Sequence, residues 1–505
     1  MYDTNHLITR LRAASDGRGD DPFAHLPNGQ VVSFGAVFAG AERMAGALVQ
    51  SGVRPGDRVA VQVAKTIQAI ELYLGAVMAG AVFLPLNTAY TGAEVGYFLG
   101  DATPAVVVCD PSRIEEITGI AGQATVLTLD ADGQGTLCDL ANTGTNTGAR
   151  FEVAARGADD LAAILYTSGT TGRSKGAMLS HANLARNSEV LRDYWRFTSD
   201  DILIHALPIF HTHGLFVATN VALLAGAQVV FLPGFDPDAI LDAMPRATAL
   251  MGVPTFYTRL LADKRLTRQR AAGMRLFISG SAPLLVDTHE EWEARTGHRI
   301  LERYGMTETN MSTSNPYADE RRAGTVGFPL PGVEARVMAD GGEVARGEIG
   351  VLHVRGENVF QGYWRMPEKT AEELLPDGWF ITGDLAQIDE DGYVSIVGRQ
   401  KDLIITGGFN VYPKEVESLI DDLPGVSESA VIGVAHPDFG EAVVAVVVAD
   451  APGLEPEAIQ TALSGQLAKF KQPKRVIVVQ SLLRNTMGKV QKKALREEYA
   501  GLFFT

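Results

Sequence analysis

The sequence predicts an α/β protein, with a large N-terminal domain of mostly parallel sheets covered by helices and a small α+β C-terminal domain. Short apolar runs alternate with helical stretches over the first two thirds of the chain, which is typical of parallel strands buried on both faces. From Gly332 the strands follow one another more closely, and after Arg399 the pattern changes again. At 505 residues the chain is too long for one ordinary core, so at least two domains are expected.

The first part of the chain carries a series of short apolar strand candidates. They are Arg58–Ala64, Ala81–Leu86, Ala105–Cys109, Gln228–Leu232, Ala249–Gly252 and Leu276–Ile278, with a helix predicted over Ile67–Met78. Runs of this length bounded by turn residues indicate strands of a covered sheet. The segment 130–160 is rich in Gly, Asn, Thr and Asp, and it predicts an exposed connection.

The predicted domain boundary lies at 399–401. The N-terminal domain is predicted over 1–398, and its β-rich part at about 332–398 has the closely spaced strands of a small barrel-like subdomain. The C-terminal domain, 402–505, is predicted to contain helices Lys414–Leu423 and Pro456–Leu467, and strands Ser429–Val434, Ala442–Val448 and Arg475–Val479. A unit of about one hundred residues is a usual domain size.

Bulk composition argues against several classes of protein. The net charge of −16 disfavours a nucleic-acid partner, which would need a basic face. Cys109 and Cys138 have neither a pairing pattern nor metal-ligand spacing, and the N-terminus lacks a signal peptide's apolar core. The uncharged stretch Gly214–Leu232 is interrupted by Asn220 and Gln228, so it predicts a buried helix and strand rather than a membrane span. We therefore predict a cytoplasmic protein without a membrane partner.

One loop is typical of an anion site. Residues 166–176, YTSGTTGRSKG, follow the apolar run Leu161–Leu165 with hydroxyls, glycines and a lysine. Glycine lets consecutive backbone N–H groups turn inward to form a nest for phosphate, and Lys175 adds a mobile positive charge. The spacing is not that of a Walker A loop. Taken alone, a solvated turn that binds nothing is the commoner outcome for such a segment.

Seven segments occur in an order that resembles one family. They are YTSGTTGRSKG, GSAPL (280–284), ERYGMTET (302–309), GTVGFPLPG (324–332), GWFITGD (378–384), GRQKDLIITGGFNVYPKEVE (398–417) and NTMGK (485–489). This order resembles the AMP-forming acyl-CoA synthetases, a superfamily that also holds firefly luciferases and peptide-synthetase adenylation domains. The resemblance implies that a carboxylate attacks the α-phosphate of ATP, giving an acyl adenylate and pyrophosphate, and that the thiol of CoA then displaces AMP.

The resemblance also implies a nucleotide site. Its expected residues are Thr167, Ser168, Gly169, Thr170, Thr171, Gly172, Lys175, Gly280, Ser281, Ala282, Glu302, Arg303, Tyr304, Gly305, Met306, Asp384 and Arg399. Tyr304 would stack on adenine, whereas Asp384 and Arg399 would hold the ribose. Outside this motif, a core aromatic and a turn-capping carboxylate would be the better interpretations of Tyr304 and Asp384.

Catalysis is expected at three residues. The resemblance implies that Thr307 reaches the α-phosphate, that Glu308 and Thr170 hold Mg²⁺, and that Lys489 swings in to bridge the carboxylate and the α-phosphate. An isolated lysine such as Lys489 would more often lie free on the surface. Because acetylation removes a lysine's charge, a lysine acetyltransferase and deacetylase acting on Lys489 would switch the first step.

Domain movement is a further implication of the resemblance. Lys401 takes the hinge position, and the C-terminal domain is expected to be mobile, so that one site serves both half-reactions. Gly407, Gly408 and Phe409 are then expected to line the CoA tunnel.

The acyl pocket is predicted to be polar rather than apolar. Its expected residues are His211, Thr212, His213, Ser281, Arg303 and Met306. A buried arginine suits a second carboxylate on the substrate, because an unpaired buried charge is costly. The FHTHGL and ILERYGMTET segments resemble the malonyl-CoA synthetases, the dicarboxylate branch of the family, which implies malonate and also methylmalonate.

Several alternatives stay open at this point. Arg303 could form a structural salt bridge near Glu302. The protein could be a ligase for another short-chain or aromatic carboxylate, or an adenylation module of a peptide synthetase. Bioluminescence is disfavoured by a polar pocket. A non-catalytic adenylate-binding protein on the same fold is the alternative from a different class, and the presence of Lys489, Glu308 and Asp384 argues against it.

Overall fold

The structure is a computed structural model that describes residues 3–143, 151–167, 174–450, 453–464, 466–485 and 489–504. Its strands are β1 Pro22–His25, β2 Val31–Ser33, β3 Arg58–Gln62, β4 Val82–Pro85, β5 Val106–Cys109, β6 Thr125–Thr128, β7 Leu161–Thr167, β8 Lys175–Ser180, β9 Ile202–His205, β10 Gln228–Phe231, β11 Ala249–Gly252, β12 Leu276–Ser279, β13 Leu301–Met306, β14 Asn310–Ser314, β15 Phe328–Pro329, β16 Val333–Ala339, β17 Gly342–Glu343, β18 Gly350–Gly356, β19 Phe380–Ile388, β20 Val394–Arg399, β21 Ile404–Thr406, β22 Phe409–Val411, β23 Val426–His436, β24 Gly440–Ala449 and β25 Arg475–Val479.

The α-helices lie between these strands. They are α1 His6–Ala13, α2 Phe34–Gln50, α3 Ile67–Met78, α4 Gly92–Ala102, α5 Ile114–Ile120, α6 Thr136–Thr143, α7 His181–Tyr194, α8 Asn220–Ala225, α9 Pro237–Ala243, α10 Pro254–Leu261, α11 Val286–Thr296, α12 Pro367–Glu373, α13 Pro413–Asp421, α14 Pro456–Ser464 and α15 Lys492–Glu498. A π-helix spans His213–Thr219, directly before α8, and a short 3₁₀ helix spans Gln400–Asp402.

Two largely parallel sheets make up most of the N-terminal part. One has the order β6-β5-β3-β4-β7-β8 and is parallel except for its last pair, β7 and β8. The other has the order β15-β14-β13-β12-β11-β9-β10-β1-β2 and is parallel from β13 to β1. Helices α2 and α3 pack together in the large core that these sheets share, where α3 is buried on nearly every side. The predicted covered parallel sheets are confirmed.

Two smaller sheets follow. The first is antiparallel, with the order β17-β16-β18-β19-β20, and corresponds to the predicted β-rich part. The second has the order β22-β21-β24-β23, with β25 parallel to β24. Its two faces carry separate apolar clusters, one around Val416 and Val443 and the other around Ile432 and Leu495. The α+β character predicted for the end of the chain is therefore confirmed.

One prediction about local structure was wrong. The segment 130–160 was predicted as an exposed connection, but it contains α6, which packs against α2. Leu137 and Ala141 are four residues apart, share one face of the helix and are buried. The glycine- and asparagine-rich flanks hide this short amphipathic pattern.

The uncharged stretch 214–232 folds as predicted into buried helix and strand. The π-helix, α8 and β10 follow one another, and their side chains are almost all buried in the main core. Among the described residues, the structure contains no helix that is both long and apolar enough to cross a membrane.

Candidate functional site

The loop of residues 302–309 owes its shape to a close backbone approach. At Gly305 a Cβ would lie only 1.8 Å from the carbonyl oxygen of Asn310, so no larger residue fits. Asn310 itself has a positive φ of 48°, and the β13–β14 ladder is irregular at this point. The tight return places half-buried Thr307 and buried Glu308 at the end of β13.

Three predicted nucleotide residues meet at the carboxyl end of β13. The hydroxyl of Tyr304 donates to Oδ2 of Asp384 at 2.5 Å, and Nε of Arg399 lies 2.6 Å from Oδ1 of the same carboxylate. Asp384 and Arg399 are cross-strand neighbours on β19 and β20, which fixes their pairing. Burial and then the Asp384 carboxylate raise the pKa of the Tyr304 hydroxyl well above its ordinary value, so the hydroxyl stays a donor. Met306 lies alongside, with its sulfur 3.7 Å from that hydroxyl.

The phosphate-loop prediction can be followed only at its two ends. Ser168, Gly169, Thr170, Thr171 and Gly172 lie outside the described residues. Thr167 and Lys175 face each other at the end of the antiparallel β7–β8 pair.

Lys175 is held by residues that sequence reasoning missed. Its Nζ lies 3.1 Å from both carboxylate oxygens of Glu373 and 4.0 Å from the centre of the Tyr363 ring. The Tyr363 hydroxyl oxygen in turn lies 3.0 Å from Oε1 of Glu308 and 2.6 Å from Oε2 of Glu373. In the sequence, Tyr363 lies in a GYW triplet and Glu373 follows it ten residues later. Neither feature by itself indicates a function.

Glu308 is the buried carboxylate that was predicted to hold Mg²⁺. Burial raises the pKa of its carboxyl, although the Tyr363 hydroxyl and the charges of Lys175 and Arg399 oppose this. Among the described residues, no group of three or more His, Cys, Asp or Glu side chains is arranged to hold a metal ion. A Mg²⁺ ion at Glu308 would therefore take most of its oxygen ligands from phosphate and water, which is how Mg²⁺ usually binds in nucleotide sites.

The predicted acyl residues gather around a buried arginine. Arg303 is 2% exposed, and its Nε and Nη2 have no hydrogen-bond partner among the residues that the structure describes. A Cβ at Gly280 would lie 2.5 Å from the guanidinium carbon, so glycine is needed there to make room for it. Burial lowers the pKa of Arg303 to about 9.

The structural salt bridge considered for Arg303 is not formed among the described residues. The neighbouring carboxylate, Glu302, instead accepts the backbone N–H of Leu284 at 3.1 Å. Burial raises the pKa of Glu302 to about 8. Arg303 thus remains a buried cation without a carboxylate partner in the part of the chain that the structure describes.

Ser281 and His213 lie beside Arg303. Ser281 Oγ and His213 Nδ1 are 3.3 Å apart, and Ser281 has a left-handed φ of 71°, which is uncommon for a residue other than glycine. Burial, and then the charge of Arg303, lower the pKa of His213 well below its ordinary value, so it is neutral. Ala282 follows Ser281 in the same bend.

His211 and Thr212 directly precede His213 in the chain and belong to the same group of predicted acyl residues. Thr212 is buried, and within the described part of the chain its hydroxyl has no hydrogen-bond partner. Burial, followed by the charges of Lys489 and Arg303, lowers the pKa of His211 to about 3. His211 is therefore within range of the charges of both the proposed catalytic lysine and the buried arginine.

Lys489 faces the same cleft from the C-terminal part of the chain. The residue is exposed to solvent. Desolvation of its ammonium, and then the charge of Arg399, lower the pKa of Lys489, whereas Asp384 and Glu308 act in the opposite direction. Its backbone is fixed by two hydrogen bonds with Asn485, each 2.9 Å long. The structure thus brings Lys489 to the predicted nucleotide and acyl residues.

The remaining predicted residues lie on the segment that follows β20. Lys401 is exposed within the 3₁₀ helix between β20 and β21. Gly407 and Gly408 form the turn of the β21–β22 hairpin, and Phe409, 57% exposed, stacks on Phe470 with ring centres 4.7 Å apart.

Comparison with known proteins identifies the family. The family model described as AMP-binding enzyme matches residues 11–364, and the one described as AMP-binding enzyme C-terminal domain matches residues 415–489. The chain belongs to the AMP-binding enzyme family.

Members of this family that resemble the chain include a malonate–CoA ligase of Arabidopsis thaliana. It is 34% identical over 484 residues, covering 88% of this chain and 78% of the relative. Two crystal structures of MatB from Rhodopseudomonas palustris are 60% identical in sequence to this chain. Each match covers 99% of this chain and 100% of the MatB chain. The ATP-bound form matches with a TM-score of 0.95, and the apo form with 0.84.

Proposed function

We propose that this AMP-forming acid–thiol ligase joins malonate to CoA. Malonate attacks the α-phosphate of ATP, pyrophosphate leaves, and the thiol of CoA then displaces AMP from malonyl adenylate. The observation that carries the choice of acid is Arg303, which is a buried cation with no carboxylate partner among the described residues. The likeness to a malonate–CoA ligase and to MatB supports the same conclusion.

Malonate would complete the pair that Arg303 lacks. One carboxylate reacts, and the other is placed against the guanidinium, where a bidentate contact is the strongest hydrogen-bonded arrangement available. Ser281 and neutral His213 add polar contacts to that end of the substrate. Methylmalonate keeps both carboxylates and adds one methyl group, so it is the second acid we expect.

Adenylation is assigned to the residues around Glu308 and Lys489. We propose that Tyr304 contacts adenine, that Asp384 and Arg399 bind the ribose, and that Thr307 reaches the α-phosphate. Lys489 would pair with the attacking carboxylate and the α-phosphate, which reduces the repulsion between two anions. Glu308 would hold Mg²⁺, which would neutralise charge on the phosphate oxygens.

The two half-reactions require a change of arrangement. We propose that 1–398 and 402–505 are separate domains, with the hinge at Lys401 inside the 3₁₀ helix. The arrangement in which Lys489 faces Glu308 and Asp384 suits adenylation, in agreement with the higher similarity to an ATP-bound relative. After rotation, the hairpin of Gly407, Gly408 and Phe409 would line the path of CoA.

A substrate panel tests the proposal. Pyrophosphate release is measured with acetate, malonate, methylmalonate, succinate, benzoate and octanoate at fixed ATP and CoA, and the acyl-CoA product is identified by mass. We expect the highest kcat/KM with malonate and the next highest with methylmalonate. A preference for benzoate or acetate would overturn the choice of acid, and no pyrophosphate release with any acid would point to a non-catalytic adenylate-binding protein.

A further inference from the structure

One tyrosine hydroxyl lies between the carboxylate of Glu308 and that of Glu373, which also contacts Lys175. The hydroxyl of Tyr363 lies 3.0 Å from Oε1 of Glu308 and 2.6 Å from Oε2 of Glu373. A phenol has one proton, so it donates to only one of the two carboxylates at a time. Tyr363 is 2% exposed, which excludes water as a ready substitute for either contact.

Glu373 connects this hydroxyl to Lys175. It is the last residue of α12, and both of its carboxylate oxygens lie 3.1 Å from Nζ of Lys175. The same ammonium lies 4.0 Å from the centre of the Tyr363 ring, within the range of a cation–π contact. Lys369, one turn earlier on α12, also reaches Glu373, at 2.9 Å, but from the exposed side of the helix.

We propose that Tyr363 and Glu373 are positioning residues of the adenylation step, with Glu373 aiming Lys175 at the triphosphate and Tyr363 fixing Glu308 as the magnesium ligand. This inference rests on the proposed function, because Lys175 and Glu308 have these tasks only if ATP is a substrate. Neither positioning residue lies in one of the seven segments that carry the resemblance to the family.

The physical reason lies in the flexibility of lysine. Its ammonium sits on a stem of four carbons, and ordering that stem costs rotamer entropy. Anchored between a carboxylate and an aromatic ring, Lys175 is already ordered before ATP arrives. Without Glu373 the triphosphate itself would have to order it, so ATP would bind more weakly.

The chain offers a matched pair of variants for this test. Glu373→Gln keeps an oxygen that accepts from Tyr363 but removes the charge that anchors Lys175. Glu372→Gln makes the same change one residue earlier, at an exposed side chain that contacts Lys369. Malonate-dependent ATP–pyrophosphate exchange gives KM for ATP, and we expect an increase of at least about tenfold for Glu373→Gln and less than twofold for Glu372→Gln.

Tyr363→Phe separates the second task. It keeps the ring beneath Lys175 and removes only the hydroxyl. We expect the Mg²⁺ concentration for half-maximal exchange to rise about fivefold, while KM for malonate changes less than twofold. Glu373→Asp restores the charge on a shorter stem, and we expect it to recover part of the ATP affinity lost in Glu373→Gln.

The second half-reaction distinguishes positioning from a structural role. Each variant is supplied with malonyl adenylate and CoA, and the rate is expected to stay within twofold of the parent protein. Equal losses in both half-reactions together with a lower Tm, or identical behaviour of Glu373→Gln and Glu372→Gln, would overturn the proposal. If the parent protein exchanges with another acid and not with malonate, the proposed substrate is wrong, and the same variants test the positioning roles with that acid.

Discussion

The nucleotide side and the acyl side of the cleft treat their charges differently. On the nucleotide side Asp384 is paired with Arg399, and Lys175 with Glu373. On the acyl side Arg303 is buried beside two neutral histidines and has no carboxylate partner among the residues that the structure describes. The nucleotide side is therefore organised in advance, whereas the acyl side is completed by its substrate. Selectivity between acids should consequently depend on the acyl side alone.

The largest effect should come from the lysine that serves both sides. Lys489→Ala removes the charge placed between the two anions, and we expect adenylation to fall roughly 10³-fold. Conversion of supplied malonyl adenylate and CoA should continue, because that step does not need to bring the two anions together. Exchange and single-turnover thioester assays measure the two steps separately.

Lys493→Ala is the matched control for this variant, since Lys493 makes only a 3.7 Å surface pair with Glu497. Full enzymatic acetylation at Lys489 should reproduce the loss of adenylation. Undiminished exchange in fully acetylated protein, or equal loss of both steps in Lys489→Ala, would remove Lys489 from the role assigned to it.

The acyl side should give the next largest effect, and one that depends on the acid. Arg303→Met keeps an apolar stem but leaves the second carboxylate of malonate unpaired, which typically costs about 3 kcal/mol or more. We expect kcat/KM for malonate to fall roughly 10²-fold, while propionate activity persists or rises and KM for ATP changes little. Steady-state kinetics with both acids measure this.

Arg299→Ala, at an exposed arginine paired with Glu293, should leave both acids unaffected. If Arg303→Met weakened malonate and propionate equally, the comparison between the two sides would fail. The carboxylate partner would then have to be sought near Ser281 or Thr212.

A substitution on the nucleotide side should have a smaller effect on the reaction, and that effect should be the same for every acid. Asp384→Asn retains the shape of the side chain but loses a charge-assisted contact, so KM for ATP should rise about tenfold. The ratio of malonate to methylmalonate activity should stay constant, as measured by competition between the two acids. Asp391→Asn, at an exposed carboxylate, provides the control, and a changed acid preference in Asp384→Asn would contradict the division of tasks.

The smallest effect should come from His213. Because burial and Arg303 keep its imidazole neutral, it contributes one hydrogen bond rather than a charge, worth about 1 kcal/mol. His213→Ala should therefore lower kcat/KM for malonate about fivefold and leave propionate nearly unchanged. A loss as large as that of Arg303→Met would mean that His213 carries a charge in the complex.

Strand positions and the order of motifs could be predicted from the sequence, whereas the pairing of charges could not. The motif order led to Tyr304, Asp384 and Arg399, although Tyr304 is 80 positions from Asp384 in the chain. Tyr363 and Glu373 escaped prediction because their significance depends on contacts with β8, where Tyr363 pairs with Ala177 and Glu373 meets Lys175. The sequence also could not predict whether Arg303 forms a salt bridge, because only the structure shows that its neighbour Glu302 accepts a backbone N–H instead. Motifs identify residues, but only the folded chain shows which charges remain unpaired.

The π-helix at His213–Thr219 makes the acyl side of the cleft sensitive to the deletion of a single residue. A π-turn accommodates an additional residue relative to an α-helix, and each residue of an α-helix turns the chain by about 100°. Deleting one residue from this segment would allow it to rewind as an α-helix joined smoothly to α8, and would rotate His213 away from Ser281. A single-codon deletion would thus weaken the preference for malonate while every contacting side chain remained present in the sequence.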